Sequence, residues 1–357
     1  MPHNKKGTIM KRMAAVIMGN GEVKAIEQEM AELLDNEVVI KVHASLISPG
    51  TEMGGVKTLR EKADPDKEVK AFGYANAGEI IEIKGDCKDL QVGMRVAAIG
   101  TGKAEHANYA NVPVNLVVPI PDSVTYEQAT YACLAATALQ GVRRTVPQLG
   151  EYGAVLGGGM VGILASQFYQ LSGANVILWE GMEKRIEIAK QCGITEFANF
   201  KTQDTVEITK AFAAPYGLDF GMMAFGGNAT ETFASLKDCM KVSADGHEMG
   251  RVILIGGCKV EIGGGAYSGN LNILASSRTG AGYHDPEYEL GKDYPAAFVQ
   301  FTTQRNLKEI IRLIDSGRLI VDPMTTHRMS LADVGKAADL LIDHPDAAMG
   351  IILQMSH

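Results

Sequence analysis

Residues 153–165 read GAVLGGGMVGILA, and this stretch decides the fold. An apolar, strand-like run breaks into glycines and resumes with helical spacing. Gly157, Gly159 and Gly162 form the pattern G-x-G-x-x-G between that strand and that helix. In this context the first glycine makes the turn, the second lets the backbone approach a pyrophosphate, and the third lets helix and strand pack closely. We therefore predict a dinucleotide-binding turn, with the helix N-terminus facing the phosphates.

A second strand-like run, NVILWE, ends at Glu180. This is the usual distance for an acid that hydrogen-bonds the adenosine ribose. A carboxylate there repels a 2′-phosphate, so the sequence predicts NAD as the cofactor rather than NADP. The alternative is that the glycines only pack a strand against a helix and that Glu180 is a solvated loop acid. The coincidence of strand, turn, helix and acid favours the dinucleotide site.

The pattern around this stretch divides the chain. From about residue 126 to 256 strand and helix signals alternate, which predicts a parallel sheet wrapped by helices. Up to about residue 120 the chain shows short β-type runs with no long helical period, and the last 75 or so residues are mixed. The predicted strands of the parallel sheet are GAVLG (153–157), NVILWE (175–180), EFANF (196–200), LDFGMMAF (218–225) and RVILIGG (251–257).

Composition limits the function. A length of 357 residues allows about two domains with cores of their own. The net charge of −8 gives no basic footprint for nucleic acid, and no run reaches the roughly 18 apolar residues of a membrane span. The first apolar run, AAVIM, is shorter than a secretory segment, so we predict a first strand and a cytoplasmic protein. The five scattered cysteines form no C-x-x-C pair and are expected to be reduced and mostly buried.

Several further segments carry a resemblance to a known family. They are VIKVHASLISPGTE (39–52), FGYANAGEIIEI (72–83), VGMRVAAIG (92–100), HANYANVP (106–113) and CLAATALQGVRR (133–144). Together with the glycine turn, they make the chain resemble the medium-chain dehydrogenase/reductase superfamily over nearly its whole length. The segments SLISPGTE, FGYANAGE and GAGYHDPEYELGKDYP resemble a zinc-lacking branch of that superfamily.

The resemblance implies an α/β fold in which a GroES-like, β-rich catalytic domain faces a Rossmann domain with a doubly wound parallel sheet. We expect the catalytic domain at residues 1–136, the Rossmann NAD-binding domain at 137–280, and a return segment at 281–357 that completes the catalytic domain. NILASSR (272–278) is expected at the crossing between the domains. A homodimer or homotetramer is expected by analogy, with a small-molecule substrate and with no nucleic acid or membrane as partner.

The same resemblance bears on metal binding. Zinc-dependent members hold their catalytic ion at positions that correspond here to Pro49, Tyr74 and Cys133. Proline cannot bind zinc, and a single thiol is too few for a site that uses three protein ligands. The cysteine-rich structural zinc lobe is absent between Val96 and Pro119. We therefore predict no metal, and a packed rather than nucleophilic Cys133.

Without zinc, a side chain must accept the proton when an alcohol is oxidised. Thr51 corresponds to the hydroxyl that relays protons in zinc-dependent relatives. The other candidates are Glu52, Tyr74, His106 and the pair Tyr283 and His284. Each has a structural alternative. Glu52 could form an ion pair with Lys57 or Arg60, Tyr74 could pack with its hydroxyl hydrogen-bonded, and His106 could be a hydrogen-bonded histidine between two strands. The sequence does not select one base among them.

Cofactor contacts are predicted around the glycine turn and at the carboxyl edge of the sheet. Besides the three motif glycines and Glu180, they are Met160, Val161, Arg185, Gly226, Gly256, Gly257 and Thr137, while Asn76, Gln140 and Arg143 are expected to line the cleft or the cofactor face.

These features predict an NAD(H)-dependent, zinc-independent oxidoreductase that interconverts a secondary alcohol of a polyol, sugar or cyclitol with a ketone. Three alternatives stay open. One is a quinone or enoyl reductase, which usually prefers NADPH. Another is an epimerase or lyase that retains NAD through its cycle. The third is a nucleotide-binding sensor that has lost catalysis.

Overall fold

The computed structural model describes residues 10–64, 66 and 69–357. The basic beginning of the chain, residues 1–9, lies outside these ranges. The strands are β1 (Lys11–Ile17), β2 (Val23–Glu29), β3 (Glu37–Ile47), β4 (Lys70–Ala71), β5 (Ala75–Lys84), β6 (Arg95–Ile99), β7 (Tyr109–Pro113), β8 (Val117–Pro119), β9 (Tyr152–Leu156), β10 (Asn175–Trp179), β11 (Glu196–Ala198), β12 (Phe220–Met223), β13 (Gly227–Asn228), β14 (Lys241–Val242), β15 (Glu248–Ile255), β16 (Cys258–Lys259), β17 (Asn270–Ser276), β18 (Thr325–Ser330) and β19 (Gly350–Gln354).

The helices are α1 (Thr51–Glu61), α2 (Tyr126–Ala129), α3 (Ala132–Thr145), α4 (Met160–Leu171), α5 (Glu183–Gln191), α6 (Thr205–Phe212), α7 (Thr230–Lys237), α8 (Gly265–Ser268), α9 (Pro286–Glu289), α10 (Thr303–Asp315) and α11 (Val334–Asp343). Within the described residues, none of them is long and apolar enough to cross a membrane.

The middle of the chain forms the predicted parallel sheet. Its strands run in the order β11-β10-β9-β12-β15-β17, all paired in parallel, and β14 adds a short antiparallel pairing at the start of β15. The order reverses at β9, the strand that leads into the glycine turn. In such doubly wound sheets, ligands bind beyond the carboxyl ends of the strands at this reversal.

The first part of the chain and its last strands share a second sheet. Its order is β18-β19-β3-β5-β6-β8, with β7 also pairing to β3, and a separate three-stranded sheet has the order β2-β1-β4. The last part of the chain therefore contributes to this sheet, because β19 pairs antiparallel with β3. The predicted boundary at residues 136 and 137 falls inside α3, which runs from one domain into the core of the other.

The region before residue 120 contains a helix that the sequence analysis did not predict. Helix α1 buries Met53, Val56 and Leu59, which recur every three residues on one face. Gly54 and Gly55 interrupt the apolar pattern and lower helix propensity. Tertiary packing of that face outweighs the cost of the glycines.

The expectation for NILASSR also needs correction. Residues up to Ser276 belong to β17, which pairs in parallel with β15 as the sixth strand of the Rossmann sheet. The crossing between the domains begins only after Ser276. Apolar and polar residues alternate only over Asn270–Ile273, and pairing with β15 continues the strand to Ser276.

Candidate active site

The three motif glycines have the three environments that their roles require. Gly157 has a φ of +104°, and a Cβ there would lie 2.9 Å from the Ala224 carbonyl oxygen. A side chain on Gly162 would overlap the carbonyl oxygen of Gly157. Gly159, in contrast, has nothing within 4 Å of its Cβ position. The turn is therefore closed at its first and third glycines and open at the second.

Helix α4 begins at this opening with its first N–H groups free of a side-chain cap. Gly159 is the N-cap residue, and no side chain accepts a hydrogen bond there. Met160 and Val161 form the first turn of the helix. Exposed N–H groups at a helix N-terminus favour an anion. The open space beside Gly159 and these N–H groups fit a pyrophosphate.

Glu180 lies directly after β10, beside the glycine turn, and only 3% of it is exposed. Its Oε2 accepts a hydrogen bond of 2.8 Å from the Gly158 N–H. Its Oε1 accepts two more, from the N–H groups of Gly181 at 2.7 Å and Met182 at 2.9 Å. Glu180 therefore ties β10 to the glycine turn, and Gly158 allows its close approach, because a Cβ there would lie 2.9 Å from the carboxylate.

Arg185 lies next to this carboxylate. Its Nη1 is 3.8 Å from Glu180 Oε2, and its Nη2 donates to the Pro345 carbonyl oxygen at 3.2 Å. Arg185 Nη1 is too far from Glu180 Oε2 for a hydrogen bond, so the Gly158 N–H is the one donor that Oε2 has among the described residues.

The remaining residues predicted to contact cofactor lie at the carboxyl edge of the sheet or on α3. Gly226 follows β12, and Gly256 and Gly257 follow β15; the short strands β13 and β16 pair just beyond them. A Cβ on Gly226 or Gly257 would have nothing within 4 Å. Thr137 lies one turn along α3 from Cys133 and donates to its carbonyl oxygen at 3.2 Å.

In the catalytic domain, the carboxylate of Glu52 is the centre of a polar cluster at the start of α1. Glu52 is 8% exposed. Its Oε2 accepts a hydrogen bond of 2.6 Å from the Ser48 N–H, and its Oε1 lies 3.2 Å from His106 Nε2. Neither of these two atoms has a hydrogen-bond partner among the described residues. An ion pair between Glu52 and Arg60, one of the alternatives considered from the sequence, does not form, because Arg60 binds Asp339 instead.

Tyr74 lies next to this cluster. Burial raises the pKa of its hydroxyl well above the ordinary value, and the charge of Glu52 and the proximity of Cys133 raise it further. Hydrogen-bonding contacts with the side chains of Ser48 and Thr51 lower the pKa of Tyr74. Tyr74 is therefore a neutral hydroxyl at ordinary pH, placed between two other hydroxyls and a carboxylate. Ser48 was absent from the predicted site residues, although it lies in the quoted segment SLISPGTE.

The positions that correspond to zinc ligands give a poor metal site. Cys133 is buried, and both burial and the charge of Glu52 raise the pKa of its thiol. A single thiol is fewer than the three protein ligands that a catalytic zinc site uses. Among the described residues, no group of three His, Cys, Asp or Glu side chains is arranged to hold a metal ion.

His106 is close to Glu52 but has no access to solvent. It is 0% exposed, and its Nδ1 lies 2.8 Å from the Ser45 hydroxyl. Its ring packs edge-on against Phe72, with 4.9 Å between the ring centres. His106 can therefore act on the cleft only through Glu52.

Of the pair Tyr283 and His284, only Tyr283 faces the cluster. Its hydroxyl accepts a hydrogen bond of 3.1 Å from the Thr101 N–H, and burial, followed by the proximity of Cys133, raises its pKa to about 12. His284 is exposed and has a φ of +68°. The structure thus brings Thr51, Glu52, Tyr74 and His106 together, while the His284 ring packs edge-on against Tyr283 with 4.2 Å between the ring centres.

Three other residues expected along the cleft have structural partners. Asn76 donates to the Glu105 carbonyl oxygen at 3.0 Å, and the Gln140 side chain meets Asn306 at 3.5 Å. Arg143 stacks on the ring of Phe301 near the C-terminal end of α3, away from the glycine turn.

No family model matches the chain, but individual proteins do. The chain is 27% identical over 258 residues to an alcohol dehydrogenase of Cupriavidus necator, which covers 71% of this chain and 62% of that enzyme. It is 26% identical over 251 residues to sorbitol dehydrogenase of Bacillus subtilis, covering 62% of this chain and 71% of that enzyme. The chain thus spans less than two-thirds of the length of the alcohol dehydrogenase.

Solved structures cover nearly the whole chain. An Escherichia coli oxidoreductase/dehydrogenase of unknown specificity superposes with a TM-score of 0.80 at 19% identity, covering 98% of this chain and 100% of that one. A Sinorhizobium meliloti dehydrogenase bound to NADP gives 0.73 at 21% identity, with 97% and 99% covered. An Escherichia coli alcohol dehydrogenase bound to NADH gives 0.73 at 17% identity, with 96% and 99% covered.

The two sheets, the glycine turn and these likenesses define the class. The chain has the fold of a GroES-like domain joined to a Rossmann domain, and it is similar in sequence to alcohol and sorbitol dehydrogenases.

Proposed function

We propose that the protein is an NAD(H)-dependent oxidoreductase that interconverts a secondary alcohol and a ketone without zinc. The observation that carries this proposal is the arrangement around Tyr74. Its neutral hydroxyl contacts Ser48 and Thr51, and the carboxylate of Glu52 lies close by.

The dinucleotide would be held at the glycine turn. The N–H groups at the start of α4 would bind its pyrophosphate, and Gly159 would leave room for it. A bound nicotinamide would take or give the hydride. The protein's own task is to place the substrate and to move its hydroxyl proton.

Tyr74 is the group that we assign to the substrate oxygen. A hydroxyl with a raised pKa stays protonated, so in the reducing direction Tyr74 would donate a hydrogen bond to a ketone oxygen. In the oxidising direction, Glu52 would accept the proton through Tyr74 or Thr51. His106 would stabilise the carboxylate from behind, because its Nε2 is 3.2 Å from Glu52 Oε1.

The choice of NAD over NADP is also a proposal, and Glu180 supports it. Its carboxylate lies where the second Rossmann strand ends, beside the glycine turn, and a negative charge at this position would repel a 2′-phosphate. Arg185 argues in the other direction, because an arginine beside this position can bind a 2′-phosphate. Its guanidinium is already near Glu180 and bonded to Pro345, so we assign the greater weight to the carboxylate.

The side chains at the corresponding positions support zinc independence. Pro49 offers no ligand atom, Tyr74 offers a phenol in place of an imidazole, and Cys133 is the one thiol among the three. These three side chains do not fit a zinc ion, which binds three protein ligands in catalytic sites.

A substrate with several hydroxyls fits the cleft best. Side-chain hydroxyls dominate the polar groups around Cys133, and they belong to Ser48, Thr51, Tyr74, Thr101 and Tyr283. Hydroxyl groups both donate and accept hydrogen bonds, as a polyol, sugar or cyclitol requires. The likeness to sorbitol dehydrogenase supports the same class.

The test is to purify the protein, record the absorbance of any retained cofactor, and assay polyols, cyclitols and ketones with NAD(H) and NADP(H). The proposal expects NADH formation from a polyol. Retained NAD with substrate conversion but no net NADH would favour an epimerase or lyase. Turnover of quinones or enones with NADPH would favour a reductase, and tight NADH binding without turnover would favour a nucleotide sensor.

A further inference from the structure

A groove remote from the glycine turn combines apolar walls with arginine side chains. It lies where the C-terminal ends of α3 and α4 meet α10, and its volume is about 380 Å³. Leu139, Phe168, Leu171 and Phe301 are among its apolar lining residues. A volume of this size lies within the range of small-molecule sites.

The charges in the groove are unbalanced. Arg143, Arg312 and Arg318 line it, and Glu309 is the one carboxylate among its lining residues. Glu309 is bound by Arg312, through Nε at 3.0 Å and Nη2 at 2.6 Å. The protein as a whole carries a net charge of −8, so this positive surface runs against the overall composition.

Arg143 is the residue whose interactions are least complete. Its guanidinium lies over the ring of Phe301, with 3.6 Å from Cζ to the ring centre, and Arg305 approaches the same ring at 4.9 Å. The Nε of Arg143 is buried and has no hydrogen-bond partner among the described residues. Burial and the neighbouring Arg305 lower its pKa. An anion would supply both the missing acceptor and the missing charge.

The wall of the groove includes a residue in an unfavourable backbone conformation. Val146 ends α3 with φ +52° and ψ +57°, which is rare for a β-branched side chain, and 61% of it is exposed. Such conformations persist where surrounding structure holds them and are frequent at ligand sites.

This groove is separate from the proposed active site. Helix α4 presents its N-terminus to the dinucleotide turn and its last residue, Leu171, to the groove. Twelve residues of helix put about 17 Å between the two.

We propose that this groove is a binding site for a small carboxylate with an apolar body. The carboxylate would bind Arg143, with Arg312 and Arg318 at the rim, and the apolar body would pack against Phe301 and Leu171. Arginine is well suited to this role because its fork of N–H groups matches a carboxylate. The apolar walls select against inorganic anions, which would gain only the charge contact.

Hexanoate is a suitable probe, measured by isothermal titration calorimetry on the full-length protein. We expect saturable binding at one site per chain, weakened about tenfold or more when hexanamide replaces hexanoate, since a charge-assisted hydrogen bond is lost. Inorganic phosphate should bind more weakly than hexanoate. Saturation with NADH should leave the hexanoate affinity unchanged.

The variant Arg143→Gln should weaken hexanoate about tenfold or more while it retains NADH binding, which shows that it folds. Arg144→Gln is the matched control, because Arg144 is the exposed neighbour on the same helix and should bind hexanoate like the wild type. Phe301→Leu should also weaken hexanoate. The proposal is overturned if Arg143→Gln binds hexanoate as tightly as the wild type does, or if the wild type binds hexanamide as tightly as hexanoate. It is also overturned if NADH competes with hexanoate or if hexanoate does not bind.

Discussion

The glycine turn and the cleft around Tyr74 contribute to one proposed reaction by different physical means. At the turn the working groups belong to the backbone: the free N–H groups of α4 and the open space at Gly159. In the cleft they are side chains, such as Glu52 on α1 and Tyr74 before β5, with Cys133 on α3 beside them. The turn is built from consecutive residues, whereas the cleft is assembled from segments far apart in the chain.

This difference determines how each region responds to substitution. A backbone site fails when a side chain is added, because space is its main requirement. A side-chain site fails when a single functional atom is removed while the shape is kept. Variants that change cofactor binding and turnover separately therefore test the difference between the glycine turn and the cleft around Tyr74.

The largest effect is expected for Tyr74→Phe, which removes one hydroxyl from the cleft. Turnover should fall about 10²–10⁴-fold, the usual contribution of a positioned proton-transfer group. NADH affinity, measured by titration, should stay unchanged because the turn is intact. Tyr216→Phe is the control, since Tyr216 is 73% exposed. Parallel losses of turnover and NADH affinity in Tyr74→Phe would mean that Tyr74 has a packing role.

Gly159→Ala should weaken NADH binding, in contrast to Tyr74→Phe, which should lower turnover and leave NADH binding unchanged. The new methyl group meets nothing in the protein, so the melting temperature should not fall, yet it would occupy the space assigned to the pyrophosphate. We expect a cost of about 1–3 kcal/mol in NADH binding, or about 5- to 150-fold in Kd. The control is Gly54→Ala, whose Cβ position is also open but lies in α1. Unchanged NADH affinity in Gly159→Ala would place the dinucleotide elsewhere.

Glu180→Ala tests the one side chain on which the turn depends. Three backbone N–H groups lose their acceptor, so NADH affinity should fall about tenfold. Discrimination against NADPH should also shrink because the negative charge is gone. Glu196→Ala, at the exposed start of β11, is the matched control. If the wild type already binds both cofactors equally, Glu180 does not set the preference.

The smallest effect is expected for His106→Gln, because His106 acts only through Glu52. Losing the contact with the carboxylate should cost about 1 kcal/mol, or about fivefold in kcat. The pH profile of kcat should shift, while KM and NADH affinity stay constant. A loss confined to thermal stability, with an unchanged pH profile, would mean that His106 only fills space between strands.

The fold could be predicted from the sequence because its decisive signals are local. The glycine spacing and the alternation of strand and helix lie within short windows, and the structure confirms the parallel sheet. Helix α1 was missed because packing of Met53, Val56 and Leu59 outweighs two glycines, and β17 was missed because pairing with β15 decides it. Both errors concern contacts with distant residues.

The site was predicted less completely for the same reason. Tyr74 and Glu52 were predicted from quoted segments, but their neighbour Ser48 was not, and of the adjacent Tyr283 and His284 it is Tyr283 that lies near Cys133. Which of two adjacent residues faces a cleft depends on the backbone at that point. His284 has a left-handed conformation that no local pattern indicated.

Turnover after metal removal separates a zinc-independent enzyme from one that needs the ion. The protein is treated with a chelator, freed of it by gel filtration and checked by elemental analysis, and NADH formation from the best polyol is then measured. We expect the same turnover before and after treatment with the chelator, because Pro49, Tyr74 and Cys133 together offer too few ligands for a zinc ion. Loss of turnover on chelation, restored by stoichiometric zinc, would contradict it.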